Sequence, residues 1–191
     1  MHRKSSLNFK QTDIKENQRR IAKSLLDDSK IRKHFKASLK LPTAYKYIIE
    51  EDKFFWIRKE LPSGNASVLI YEVPLNTIQK DTNTVANIIQ MRDSIGQKHI
   101  EGTLPNTYMI TQATYSPYFF NIMMDGKKTY ETKGTWELKN DYMAGPFINY
   151  AIRDEKNKRY LVIEGFCYNP SMAKRDIMHE LESILKSVKI L

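Results

Sequence analysis

Two spacings of apolar residues organise the chain. Near the C-terminus Ile177, Leu181, Ile184, Leu185 and Val188 recur at intervals of three to four residues, which predicts one buried face of a helix. Similar spacing predicts helices over about 13–36 and 84–98. The segments between these helices are rich in aromatic and β-branched residues and predict strands at 45–50, 54–60, 67–73, 108–113, 118–124, 127–138, 147–152 and 160–166.

The order of these elements predicts the fold class. The strands follow one another through short polar turns, of which Asp125-Gly126 is the clearest, and do not alternate regularly with helices. We therefore expect an α+β fold with a mainly antiparallel sheet and about three helices packed on it. The chain also has two successive blocks of strands that each end in a helix, the first with three strands and the second with five. This repetition raises the hypothesis of two similar halves.

The domain organisation follows from the length and the first residues. We expect residues 1–12 to be a flexible lead and residues 13–191 to be a single α+β domain. We expect the first helix to begin at Asp13, a candidate capping residue, and Asp27-Asp28-Ser29 is a point where it could be interrupted.

The charge of the chain is concentrated near its start. The net charge is +9, and residues 1–60 hold 16 Lys or Arg against 8 Asp or Glu. A basic helix of this kind could bind an anionic surface, which is one alternative function. Its cations alternate with acidic residues, and only Phe35 could stack on a base, so nucleic acid is not an expected partner. The candidate cations are Arg19, Arg20, Lys23, Lys30, Arg32, Lys33 and Lys36.

Motifs for cofactors and metals are missing from the sequence. The seven glycines form neither GxGxxG nor GxxxxGK[ST], and the four histidines have no paired metal-ligand spacing. Cys167 is the single cysteine, so it cannot form an intrachain disulfide and is interpreted as a packing residue. We therefore expect no cofactor and no metal.

Carboxylates are the remaining candidates for catalysis. Glu164, with Glu131 or Asp141, could form the acid and base pair of a hydrolase that acts on an envelope glycan. Glu164 is the best of the three because it alternates with Val162 and Phe166, so burial could raise its pKa. The competing interpretation is that it lies on the solvated side or is paired with a basic residue.

A second candidate site is a cluster of aromatic residues around the Gly145-Pro146 bend. Trp136, Tyr142, Met143 and Phe147 could form a rim that stacks on sugar rings or peptide side chains, with Arg92 as a bidentate donor. Core packing is the competing interpretation, because aromatic residues supply much of the core in sheet proteins.

Several longer phrases carry a family resemblance, including FFWIRKELPSGNASVLIYEVPL, ETKGTWELKNDYMAGPFINYAIRD and LVIEGFCYNPSMAKRDIMHELESIL. Over roughly residues 40–188 the chain resembles the C-terminal part of a Bacteroidetes envelope lipoprotein family, domain of unknown function 4837. Members typically carry a lipoprotein signal with an acylated cysteine, which the first 40 residues of this chain lack. The resemblance transfers no catalytic residue.

Together these features predict a non-enzymatic, envelope-associated binding or structural module with a protein or glycan partner. No run of residues approaches the length of apolar sequence that spans a bilayer. If the chain is a trimmed form of a longer protein, we expect the full-length form to be lipid-anchored in the cell envelope. If Met1 is the true start, we expect it to be cytoplasmic.

Overall fold

The computed structural model describes residues 2–191, and it describes side chains from Lys10 onward. The helices are α1 (His2–Ile21), α2 (Ser29–Phe35), α3 (Leu75–Ile78), α4 (Thr84–His99) and α5 (Arg175–Leu185). The strands are β1 (Ala37–Ser38), β2 (Lys46–Glu51), β3 (Phe54–Leu61), β4 (Gly64–Pro74), β5 (Met109–Thr111), β6 (Tyr118–Met124), β7 (Lys127–Leu138), β8 (Ala144–Asp154), β9 (Arg159–Tyr168) and β10 (Lys189–Ile190).

One antiparallel sheet of eight strands forms the centre of the protein. Its order is β2-β3-β4-β9-β8-β7, and the far edge of β7 is shared by β6 at residues 127–133 and by β5 at residues 136–138. A separate two-stranded ribbon pairs β1 with β10. The expectation of an α+β fold with a mainly antiparallel sheet is confirmed.

The sheet is buried on both faces. Along β9, Leu161 and Ile163 pack in a core with α2 and α5, whereas Val162 and Phe166 pack in a second core with α4. We call these two sides the α5 face and the α4 face. Burial on both sides explains why β9 is a nearly continuous apolar run and does not alternate between apolar and polar residues.

The expected number of about three helices is too low, since residues 2–191 form five. The first predicted helix is two helices, because the chain leaves α1 at Ile21 and begins α2 at Ser29, directly after the Asp27-Asp28 break. The four-residue α3 is too short to produce a periodic pattern. Helix α1 also begins at His2, well before Asp13. Met1 lies outside the described residues, and the flexibility of residues 1–12 stays a prediction.

The two halves of the sheet resemble each other in strand order. Strands β2–β4 and β7–β9 are both antiparallel meanders, each meander leads to a long helix, and β4 pairs with β9 at the centre. However, α4 and α5 cover opposite faces. A two-fold axis perpendicular to the sheet would place both helices on the same face, so this symmetry does not relate the halves.

Candidate binding site

The carboxylates predicted from the sequence do not form a shared pair. Glu164 on β9 is aligned with Leu69 and Asn149 and lies on the α4 face, while Glu131 on β7 is aligned with Tyr150 and lies on the α5 face. Asp141 lies in the turn between β7 and β8, where its carboxylate accepts a hydrogen bond from its neighbour's backbone N–H at 2.7 Å. The proposed pairing of Glu164 with Glu131 is therefore wrong, because the sheet separates the two side chains.

Glu164 is the acceptor of a buried ion pair. The Nε of Arg92 lies 3.0 Å from each carboxylate oxygen, and its Nη2 lies 2.8 Å from Oε1. Asn149 donates its Nδ2 to Oε2 at 2.8 Å. The guanidinium carbon of Arg92 also lies 3.7 Å from the centre of the Phe147 ring. Since both charged side chains are buried, this pair joins α4 to the centre of the sheet and is closed to solvent.

The structure does not bring the predicted aromatic rim together on the surface. Trp136 and Phe147 are buried, and the indole N–H of Trp136 donates to the backbone oxygen of Cys167 at 3.2 Å. Tyr142 is fully exposed in the β7–β8 turn, and Met143 is half-buried. A ligand on the surface could contact Tyr142 but would not reach the buried rings or Arg92.

A groove lies between α1, β6 and α5, and we call it the α1–β6 groove. Its volume is about 780 Å³. Helix α1 forms one wall and packs against α5, with a hydrogen bond from Gln18 Nε2 to the Ser183 backbone oxygen at 3.0 Å; Ile14 and Ile21 of α1 are buried. The side chains used below are those of Lys10, Lys15, Phe120, Glu131, Lys133, Glu182 and Lys186, all of which belong to residues that line the groove.

The base of the groove holds a cluster of opposite charges. Lys133 Nζ lies 3.4 Å from Glu131 Oε1 and 3.4 Å from Glu182 Oε1. Lys186 and Lys10 approach the same Glu182 oxygen at 2.9 and 3.4 Å. Three ammonium groups therefore share two carboxylates, which leaves a net positive charge at the base of the groove.

These contacts also set the proton affinities at the base of the groove. Burial favours protonation of Glu182, but the hydrogen bond from Lys186 and the charges of Lys133, Lys186 and Lys10 outweigh it and lower its pKa to about 2. Burial, followed by the charges of Glu131 and Glu182, raises the pKa of the Tyr150 hydroxyl well above its usual value. Glu182 is therefore ionised at neutral pH and Tyr150 is neutral.

Sequence reasoning found only part of this cluster. Glu131 was a candidate, but Glu182 and Tyr150 were missed. Tyr150 meets Glu131 because β7 and β8 pair in that register, and Glu182 reaches them from α5, far along the chain. The sequence signal was weak, since a carboxylate beside the apolar face of a helix is usually interpreted as solvated.

Strand β6 supplies the apolar wall of the groove. Phe120 is 49% exposed and projects from the α5 face together with half-buried Ile122, and β6 carries no charged residue. An exposed apolar side chain beside a cluster of charges commonly marks an interaction surface. The apolar wall, together with the lysines at the base of the groove, describes a site for a ligand that is partly apolar and negatively charged.

The candidate cations predicted along the first helix are divided between two helices, because the chain breaks between α1 and α2. Arg19 and Lys23 are exposed near the end of α1. On α2, Lys30 pairs with Glu50 at 2.7 Å and Arg32 pairs with Asp28 at 2.7 Å. Lys33 on α2 is exposed as well, so Arg19, Lys23 and Lys33 are candidate cations that are exposed and have no ion-pair partner among the described side chains.

Two kinds of feature are absent from the described part of the chain. No group of three or more potential metal ligands occurs among the described residues. Of the helices formed by residues 2–191, none has both the length and the apolar character needed to cross a membrane.

The fold and the groove define an α+β domain built on a two-faced antiparallel sheet. The chain belongs to the family described as a domain of unknown function (DUF4837), whose model matches residues 24–187. No curated protein sequence matches the chain significantly. The family match covers the whole sheet and α5 but begins after α1.

Proposed function

We propose that this protein is a non-enzymatic binding module of the cell envelope and that the α1–β6 groove is its binding surface. The observation that carries the proposal is the exposure of Phe120 beside a lysine-rich base in a groove of about 780 Å³. Burying this side chain against a ligand gains free energy because apolar area leaves water.

The envelope location has separate support, which is the resemblance of residues 40–188 to envelope lipoproteins. A lipid-anchored full-length form would hold the groove close to the envelope, where its partner would be a protein or a glycan. Fractionation of cells that produce the native protein, with detection of covalent lipid by fatty-acid labelling, tests this location. Recovery of unlipidated protein only in the cytoplasm would refute it.

A hydrolase of envelope glycans has less support. Within the groove, Glu131 and Glu182 are the carboxylates that approach each other through Lys133. A general acid needs a raised pKa so that it holds a proton at the working pH. The pKa of Glu182 is lowered to about 2, so it cannot serve as that acid at neutral pH.

Binding to an anionic surface through α1 is the second candidate function. The observation in its favour is that Arg19 and Lys23 are exposed at the end of α1. This function predicts a steep loss of binding as salt rises and as Arg19, Arg20 and Lys23 are reversed in charge.

The groove is tested by a thermal-shift panel of peptides, glycan fragments and anionic lipid vesicles on the wild type, F120S and Y142S. A ligand that binds only the folded state raises the melting temperature. The shift should fall in F120S and persist in Y142S, because Tyr142 is an exposed aromatic residue outside the groove. A panel ligand whose shift survives F120S would place binding elsewhere.

A further inference from the structure

Strand β6 leaves part of the sheet edge open. It pairs with β7 on one side, and no other strand among residues 2–191 pairs with it. Strand β5 lies against the same edge of β7 but further along, at Trp136–Leu138, so it does not cover β6. An open strand edge presents backbone N–H and C=O groups to which another chain can pair.

The β6–β7 turn identifies which groups face outward. Asp125 and Gly126 form a two-residue turn with φ of 48° and 71°, so the flanking residues Met124 and Lys127 form a hydrogen-bonded pair. Such pairs alternate along an antiparallel ladder. The backbone groups of Phe119, Asn121 and Met123 therefore point away from β7.

The sequence of β6 does not protect this edge. Natural proteins usually guard an open strand with charges, proline or short length. The seven residues of β6 contain no charge and no proline, and they are rich in aromatic and long apolar side chains. The positive charge lies instead beside the strand, on lysines that line the groove.

We propose that an extended acidic peptide adds to β6 as a further strand and that the groove lysines bind its carboxylates. The proposal rests on the proposed function, because it names the ligand of the same groove. Backbone pairing to Phe119, Asn121 and Met123 supplies affinity, as in other cases of strand addition. Lys15 lines the groove, is exposed, and has no ion-pair partner among the residues whose side chains are described.

Charge complementarity selects this occupant over a second copy of the chain. Two copies that paired through β6 would bring their lysine-lined grooves together, and like charges at that distance repel. An acyl chain would cover the apolar side chains but would leave the outward N–H and C=O groups without partners. An acidic strand satisfies both the backbone groups and the lysines.

The backbone part of the proposal is tested by comparing N121P with N121A. Proline at this position removes an outward N–H and keeps the β6–β7 ladder, since proline is tolerated on edge strands. The probe is a labelled, capped seven-residue peptide of alternating valine and glutamate, matched to the length of β6. Its affinity, measured by fluorescence anisotropy, should fall about tenfold in N121P, because proline removes one backbone hydrogen bond to the peptide and its ring obstructs the added strand. The affinity should change little in N121A, which keeps the N–H.

The charge part is tested with K15E and its matched control K46E. Lys46 is also exposed and without an ion-pair partner among the described side chains, but it lies on β2 at the opposite edge of the sheet. K15E should weaken binding of the acidic peptide and reduce its salt dependence, while K46E should leave both unchanged. A peptide of alternating valine and lysine should not bind the wild type.

Each outcome has a definite meaning. Equal binding by N121P and N121A overturns strand addition, provided both variants keep the wild-type melting temperature. The acidic peptide could fail to bind the wild type while another ligand of the panel raises its melting temperature and loses that effect in F120S. In that case strand addition of an acidic peptide is refuted and the proposed function stands. If no ligand depends on Phe120, both fall. A concentration-dependent dimer that N121P dissociates would identify a second copy as the occupant and overturn the acidic peptide.

Discussion

At the scale of single residues, the buried charge of Glu164 depends on one cation. Arg92 supplies three short contacts to its carboxylate, and Asn149 supplies one. We expect R92M to cost about 3–5 kcal/mol of unfolding free energy, because it leaves a buried carboxylate without its counter-charge. The double variant R92M/E164L should recover much of this loss. Urea denaturation measures both, and a double variant less stable than R92M would contradict the explanation.

The stability of the protein in acid should depend on Glu182. Its pKa is about 2 in the folded protein against 4.5 in the unfolded chain, so its contribution is complete above about pH 4.5 and is lost as the pH falls toward 2. This lowering corresponds to about 3 kcal/mol, which solvent screening of a group at the groove surface reduces to the order of 2 kcal/mol. We expect E182Q to lose stability at neutral pH and to show a smaller decrease in acid than the wild type, as measured by urea unfolding across pH 2–7.

Glu155 provides the control for that experiment. It pairs with Arg153 at 2.9 Å but is largely exposed, so its ion pair contributes little. E155Q should keep the acid dependence of the wild type. An E182Q profile parallel to that of E155Q would show that the lysines do not stabilise Glu182.

Individual site residues were harder to predict than the fold because their partners lie far apart in the chain. The alternation of Glu164 with Val162 and Phe166 correctly indicated a buried side chain. It did not reveal Arg92, which arrives from α4. The aromatic cluster at 136–147 was proposed as a rim from proximity in sequence. In the paired strands, the side chains of Trp136 and Phe147 instead lie in the core, and Tyr142 is exposed in the turn.

At the scale of elements, the β6–β7 hairpin depends on the conformation of Gly126. Its φ is +71°, and no atom lies within 4 Å of the position that a Cβ would occupy. G126A should therefore cost about 1 kcal/mol through backbone strain alone, without a clash. G126N should cost less, because asparagine tolerates this conformation better. Thermal unfolding measures the difference, and equal losses would mean that strain is not the cause.

The strands were predicted well because local patterns describe them. The predicted run at 118–124 and the run at 127–138 match β6 and β7, and the Asp125-Gly126 turn joins them as expected. The sheet order and the two-sided burial could not be predicted, since they depend on the pairing of β4 with β9 across much of the chain. The number of helices was predicted too low for local reasons, since Asp27-Asp28-Ser29 was noted only as a possible interruption and the four-residue α3 gives no periodic pattern.

At the scale of the whole molecule, α1 lies outside the part of the chain that the family model matches. The family match begins at residue 24, after α1 ends at Ile21. Helix α1 contributes buried Ile21 to the α5-face core, and the other buried members of the two cores come from the rest of the chain. The α1 wall of the groove, with Lys10 and Lys15, therefore lies outside the matched residues, whereas β6, Lys133 and Lys186 lie within them.

This division predicts that residues 24–191 fold without α1. Removal of residues 1–23 should cost roughly 3 kcal/mol, the scale of uncovering two isoleucine side chains, and should leave a cooperative unfolding transition. The truncated protein should keep its sheet signal in circular dichroism and bind more of a hydrophobic dye, because the apolar side chains under α1 become exposed. I14S in the full chain should reproduce part of the loss and K15A should not, since Lys15 is exposed beside it. A truncated chain without cooperative unfolding would instead make α1 an integral part of the fold, and the groove would then be a feature of one folding unit.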